Sequence, residues 1–186
     1  MYSATNNLQE DHVYILNLID VMEIMTKMTD PDISHLEEVV DIIKNFADGL
    51  HHAKEESWLF PLLGERGFSV QQGPVAVMLN EHVQGRNYVK GMSEHIGLLK
   101  QGDLSSLNLI YSNMLGYAEL LQNHISKENN ILFRMADDAI SEQDQESLFK
   151  QFEQIENQGE TNNTKSDFIA RIEQLIRIYN PSKQTI

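Results

Sequence analysis

The sequence predicts an all-α protein: a four-helix up-and-down antiparallel bundle followed by additional C-terminal helices. Apolar residues recur three and four positions apart through four long segments, the signature of amphipathic helices. The connections between these segments are short and marked by Gly, Pro and Asp, which implies antiparallel neighbours. The chain has 186 residues, 41% of them hydrophobic, with 4 Pro and no apolar run of membrane-spanning length, so disordered, collagenous and membrane-spanning classes are excluded.

The first helix carries Leu8, His12, Ile15, Ile19 and Met22 on one face and ends before Asp30-Pro31, where the residue before proline disfavours helix. Ser34 is a candidate cap for the second, whose stripe is Leu36, Val40, Ile43, Ala47, His51, Glu55, Trp58 and Leu62. After the Gly64 to Pro74 loop, the third helix aligns Val75, Met78, His82, Gly85, Val89, Met92, Ile96 and Leu99 and stops near Gly102. Asp103 can cap the fourth, with Leu107, Ile110, Met114, Tyr117, Leu121, His124, Glu128, Ile131 and Met135 in line. Leu148, Phe149, Phe152 and Ile155 mark a shorter helix. A polar stretch from Gly159 to Thr164 breaks it, and Phe168, Ile172, Leu175 and Ile176 suggest one more. The expected organisation is a bundle over 1–140 with accessory helices over 141–186 packed on it.

Lys plus Arg number 14 against 28 Asp plus Glu, and a net charge of -14 disfavours nucleic acid and anionic membrane surfaces as partners. Cysteine is absent, which removes disulfides, thiolate metal sites and a cysteine nucleophile, so any metal must sit on His, Asp or Glu. The opening residues lack a basic segment followed by an apolar one, and a cytoplasmic location is expected.

Each of the four apolar stripes contains a histidine, and counting from the turns places them at one height. His12 lies 19 residues before a turn near residue 31 and His51 lies 20 after it, about 28 to 30 Å each at the helical rise. His82 and His124 are 20 and 22 residues from a turn near residue 102. The two halves also repeat. Asp11-His12 and Glu81-His82 open them, His51-x-x-x-Glu55 and His124-x-x-x-Glu128 close them, and Leu59-Phe60 and Leu132-Phe133 follow at equal spacing. The repeat selects His51 and Glu55 over the adjacent His52 and Glu56. The stripe through His52 and Glu56 contains Glu38, Asp41, Asn45 and Asp48 and reads as a solvated face.

His-x-x-x-Glu aims an imidazole and a carboxylate at one point, because fourth neighbours share a helix face. Two such pairs facing each other, with one further nitrogen from each of His12 and His82, form a six-ligand set for two cations: His12, His51, Glu55, His82, His124 and Glu128. Unpaired ionised carboxylates in a bundle centre cost several kcal/mol apiece, and a dinuclear divalent centre removes that cost. A His and carboxylate donor set without thiolate suits two Fe ions, with Mn or Zn possible. No Glu is followed by His at the third position, which disfavours the ferritin-like carboxylate bundles.

The chain resembles the hemerythrin-like family, its HHE cation-binding branch, over roughly residues 5 to 138. The resemblance lies in Glu10-Asp11-His12, His51-His52-Ala53-Lys54-Glu55-Glu56 with Leu59-Phe60-Pro61, Glu81-His82 with Gly85-Arg86, and His124-Ile125-Ser126-Lys127-Glu128 with Ile131-Leu132-Phe133. It implies a hemerythrin-like bundle around a bridged non-haem di-iron site that meets O2, NO or peroxide, with the same six side chains as ligands. Oxygen-carrying hemerythrins place a second histidine four residues after the third-helix ligand, where this chain has Arg86. Their last carboxylate is Asp at the fifth position, where this chain has Glu128 at the fourth. The set is more similar to related proteins that repair damaged iron centres under nitrosative or oxidative stress. The alternative expectation is a reversible oxygen or iron buffer without turnover. Gly85 and Arg86, one turn beyond His82, are the candidate ligand pocket, Gly85 leaving room for a diatomic and Arg86 stabilising an anion or an acidic neighbour.

Overall fold

The computed structural model describes residues 3–157 and 163–180. Among these residues the chain is helical, with no strand. The first rod is α1 (Ala4–Met25), capped by Ser3, whose side chain accepts from the Asn6 amide. The second begins with α2 (Ile33–Ile42) and runs without a break through π-helical segments Ile43–His52 and Glu55–Leu59 into α3 (Phe60–Glu65). The cap of α2 is Asp32 rather than Ser34: its carboxylate accepts from the Ser34 amide at 2.8 Å. The third rod is α4 (Gly73–Lys100), entered through Pro74 and left through Gly102, whose φ of 97° suits a residue without a Cβ. The fourth is α5 (Ser106–Lys127), a π-helical turn Glu128–Leu132 and α6 (Phe133–Ala139). The C-terminal pair is α7 (Glu142–Asn157) and α8 (Lys165–Tyr179), and a capping box of Thr164 and Asp167 starts the latter. Most of the polar break expected from Gly159 to Thr164 lies outside the described residues.

Two apolar clusters fill the interior, and the histidine layer lies between them along every rod. One cluster gathers Ile15 to Met25, Leu36 to Leu50, Val89 to Leu99 and Ile110 to Ile125 with Phe168, Ile172 and Leu175 of α8. The other gathers Ala4, Leu8, Leu59, Phe60, Leu63, Val75, Met78, Leu132, Phe133 and Ala136 with Leu148 and Phe152 of α7. Each C-terminal helix thus completes one of the two clusters. No described helix is long and apolar enough to cross a membrane.

The π-helical turns correct the expected register. The α3 and α6 ends were expected to bury Trp58, Leu62, Ile131 and Met135. Instead Trp58 is 38% exposed, Ile131 51% and Met135 39%, Leu62 is half-buried, and Leu59, Leu63, Leu132 and Ala136 take the core positions. A π turn bonds i to i+5 and holds one extra residue, so the inward face moves on by one position after each glutamate. Positions 47, 51, 55, 59 and 63 recur every fourth residue, and a strict α-helix would rotate them progressively off one face.

Candidate metal centre

His12, His51, Glu55, His82, His124 and Glu128 converge in the layer between the two clusters, and all six are buried. The Nε2 atoms of His12 and His51 are 3.0 Å apart, and those of His82 and His124 are 3.2 Å apart. Each glutamate spans both pairs with one oxygen to each. Glu55 places Oε1 3.7 Å from His51 Nε2 and Oε2 3.5 Å from His82 Nε2. Glu128 places Oε1 3.2 Å from His124 Nε2 and Oε2 3.2 Å from His12 Nε2. In each half the π turn starts at the glutamate.

The outward nitrogens are anchored in a pattern that repeats with the halves. Asp11 accepts from His51 Nδ1 at 3.3 Å and Glu81 from His124 Nδ1 at 3.0 Å, each from the position before the other histidine of its half. Lys54 and Lys127, three residues after those histidines, bond the same two carboxylates. The residue following each glutamate serves the remaining ring: Glu56 accepts from His82 Nδ1 at 2.6 Å and Asn129 from His12 Nδ1 at 2.8 Å. Assigning the proton to Nδ1 in every case follows from these acceptors, and it turns the four Nε2 lone pairs inward.

Electrostatics match. Burial, then the adjacent Glu128, pushes the Glu55 carboxyl well above its ordinary value. Burial would raise Glu128 as well, and only a positive charge on His124 and His12, in whose place a bound cation would stand, holds it low. Both oxygens of both glutamates are buried without a hydrogen-bond partner. Converging imidazole lone pairs around orphaned carboxylate oxygens repel one another unless a cation stands among them, and native interiors rarely leave such atoms unpaired. Two overlapping groups have donor atoms close enough for metal ions: His12, His51, Glu55 and Glu128, and His52, Glu55, His82 and His124, with the atoms of each group within 4.8 Å of one another. The donor set therefore fits a pair of cations.

His52 and Glu56 depart from the solvated face expected of them. His52 is buried and stacks on His82 with ring centroids 3.7 Å apart, and Glu56 is half-buried beneath His82. The wide π segment carries them towards α4 instead of out to water. Lys54, Lys127, Glu56 and Asn129 were missed as supporting residues, although Lys54 and Lys127 occupy equivalent places in the repeat. Lys54 is fully buried, also donating to Asn7 Oδ1 at 2.8 Å and bonding Glu156 of α7. Lys165, the first residue of α8, lies 2.7 Å from the other oxygen of Asp11. Burial alone would raise the Asp11 carboxyl, but His51, Lys54 and Lys165 together hold it far below the ordinary range.

Gly85 and Arg86 line a cavity of about 310 Å³ together with Asp48, His52, Val89 and Tyr117. A Cβ at Gly85 would stand 3.5 Å from Tyr117 Cε2, ordinary contact, so the space is spoiled only by a larger side chain. Arg86 turns to acidic neighbours: Nε reaches Asp48 at 2.9 and 3.1 Å and a terminal nitrogen reaches Glu56 at 2.7 Å. His35, away from this layer, pairs with Tyr179 at 2.7 Å.

Comparison with known proteins places this geometry. The hemerythrin HHE cation binding domain matches residues 3–136. The chain is 32% identical over 88 residues to the iron-sulfur cluster repair protein YtfE of Pectobacterium carotovorum subsp. carotovorum, covering 46% of this chain and 40% of that protein. It is 30% identical over 103 residues to the iron-sulfur cluster repair protein DnrN of Neisseria gonorrhoeae, covering 52% and 64% respectively. These matches span less than two thirds of either relative. No solved structure matches the chain. With four of its rods meeting in a His and Glu layer and the domain match running through nearly all of them, the chain belongs to the hemerythrin HHE cation-binding domain family.

Proposed function

We propose that this is a cytoplasmic non-haem di-iron protein that binds or reacts with O2, NO or peroxide and serves iron-centre repair in stress response. The observation that carries the reading is that Glu55 and Glu128 each offer one oxygen to each histidine pair, with no other partner for those oxygens. That arrangement suits two ions bridged by two carboxylates. Iron supplies the redox capacity and the affinity for small diatomic ligands. His12, His51, His82 and His124 hold the ions, and the Nδ1 acceptors fix the rings so that little reorganisation accompanies loading. The cavity beside Gly85 and Arg86 is the approach for the small ligand. The bundle of residues 1–140 carries this chemistry, and within 141–186 the helices α7 and α8 brace it through Glu156 and Lys165.

The repair assignment draws on the relatives' printed activity, and the departure at Arg86 favours it over oxygen carriage. Its test is metal analysis with absorption spectra in the presence of azide, NO and peroxide, followed by transfer of iron to a protein with a damaged cluster. Two irons per chain with NO-dependent spectra and recovery of the damaged cluster are expected. Reversible O2 binding without iron transfer would leave an oxygen buffer, and a preparation that takes up no iron would refute both.

A further inference from the structure

We infer that Lys165 of the accessory helix α8 tunes the redox potential of the centre: its ammonium, seated behind the Asp11 carboxylate that anchors His51, favours the reduced metal. The inference rests on the two-metal reading above and adds to it a residue from outside the matched domain of residues 3–136.

The place of Lys165 is built, not incidental. The capping box of Thr164 and Asp167 sets the first turn of α8, and Phe168, Ile172 and Leu175 seat the helix in an apolar cluster. Nζ then lies 2.7 Å from Asp11 Oδ1 and 3.0 Å from Glu156 Oε1, with the side chain 16% exposed. A cation in the first turn of a helix opposes the macrodipole, so α8 itself gains nothing from this one. Burial would lower the ammonium, but Asp11 and Glu156 outweigh burial and raise it, which keeps it charged at neutral pH.

The effect of that charge is visible in the bond ahead of it. Asp11 commits Oδ2 to Lys54 at 2.8 Å and to His51 Nδ1, and Oδ1 to Lys165. The His51 bond is the longest of the four that anchor the ligand rings, 3.3 Å against 3.0, 2.8 and 2.6 Å for His124, His12 and His82. A carboxylate shared between two ammonium groups accepts weakly from the ring, since a free one would form a short charge-assisted bond. A weakly polarised imidazole is the less basic ligand, and less basic ligands favour the lower charge on a metal. The ammonium also acts directly, because a nearby positive charge opposes the loss of an electron from the ion. Both effects raise the potential. In the repeat, Lys127 matches Lys54 by pairing with Glu81, and among the described residues Glu81 has no second lysine. Lys165 is thus a contribution of the C-terminal helix and not of the repeat.

The test is a mediated potentiometric titration of the iron-loaded full chain, read by absorption. Lys165→Met and Lys165→Gln remove the charge, the second keeping a polar side chain if the first fails to fold. Lys165→Arg keeps the charge, and Lys90→Met removes one from a side chain that is 74% exposed. At a fixed potential, the reduced-to-oxidised ratio of at least one iron should fall about tenfold in both neutral variants, a shift of about 59 mV for one electron. Lys165→Arg and Lys90→Met should titrate as wild type. In the metal-free chain, the His51 Nδ1 proton should move downfield in nuclear magnetic resonance spectra of the neutral variants as its bond to Asp11 shortens. Iron content and melting by circular dichroism establish that each variant folds and loads. Loaded neutral variants that melt earlier at an unmoved potential overturn the inference alone and leave Lys165 a brace. A shift shared by Lys90→Met also overturns it, by reducing the effect to net charge. A wild-type chain that takes up no iron overturns the two-metal reading and the inference together.

Discussion

Replacing Lys54 by Met, with the matching change Lys127→Met as its partner experiment, separates burial from sequence position. The two lysines occupy equivalent places in the repeat and bond equivalent carboxylates. Lys54 is fully buried, with Nζ 2.8 Å from Asp11 and from Asn7 and bonded to Glu156, whereas the Lys127 side chain is 36% exposed. Removing one partner of a buried ion pair costs about 3–5 kcal/mol, because the other charge is left uncompensated. Lys165, 2.7 Å from Asp11 and 3.0 Å from Glu156, retains part of the compensation, which selects the low end, about 3 kcal/mol. For a chain of this length that is about 6–12 °C in melting temperature. The exposed pair of Lys127 should contribute no more than about 1 kcal/mol. Urea unfolding of the chelated proteins reads both values, with unchanged slope showing that the unfolded state is the same. Adding Asp11→Asn to Lys54→Met should recover part of the loss. Equal losses at the two lysines, or a Lys54→Met protein within about 1 kcal/mol of wild type, would refute the account of the buried network.

Substituting Glu55 by Leu should raise the stability of the chelated protein by about 1–3 kcal/mol, since two unpartnered buried oxygens disappear, while metal stoichiometry falls; parallel melts and metal analysis check both. The chelated wild type should lose stability as pH falls from about 6.5 towards 4. Burial lowers His51 to about 4, His52 to about 3 and also His82, so the unfolded chain binds more protons across that window; Glu55, raised by burial and Glu128, works in the opposite sense and offsets part of it, while His124, raised against burial by Glu128 and Glu81, acts mainly above that window. Urea midpoints measured across that pH range read the slope, and a flat profile would contradict it. Gly85→Leu should fill the space beside Tyr117 and weaken azide binding at unchanged iron content, as followed by optical titration.

Much of the centre was legible because helical rise converts residue counts into height. His12 and His51 stand level because each lies about the same count from one turn, and the repeated Asp/Glu-His and His-x-x-x-Glu units single out six side chains without coordinates. The registers beyond Glu55 and Glu128 were not legible from a constant 3.6-residue period. Trp58, Ile131 and Met135 face water because the turn widens at each glutamate, although the fourfold spacing of positions 47, 51, 55, 59 and 63 already signals under-winding. His52 was misjudged for the same reason. Its stripe is acidic, but a wide turn and the covering helix α4 bring the ring against His82. The Lys54 network was beyond local reading, since its partners Asp11 and Glu156 lie 43 and 102 residues away along the chain.

The reach of Glu156 and Lys165 into that network bears on how this domain can be handled. A fragment ending after α6 would strip Phe152, Phe168 and Ile172 from the two clusters and leave Lys54 facing Asp11 across a newly wetted seam. The ring of His51 would then lean on a hydrated, mobile carboxylate instead of a clamped one. Trimming or grafting this bundle at the family boundary would consequently disturb the metal nest from behind, through helices that supply none of the six candidate ligands.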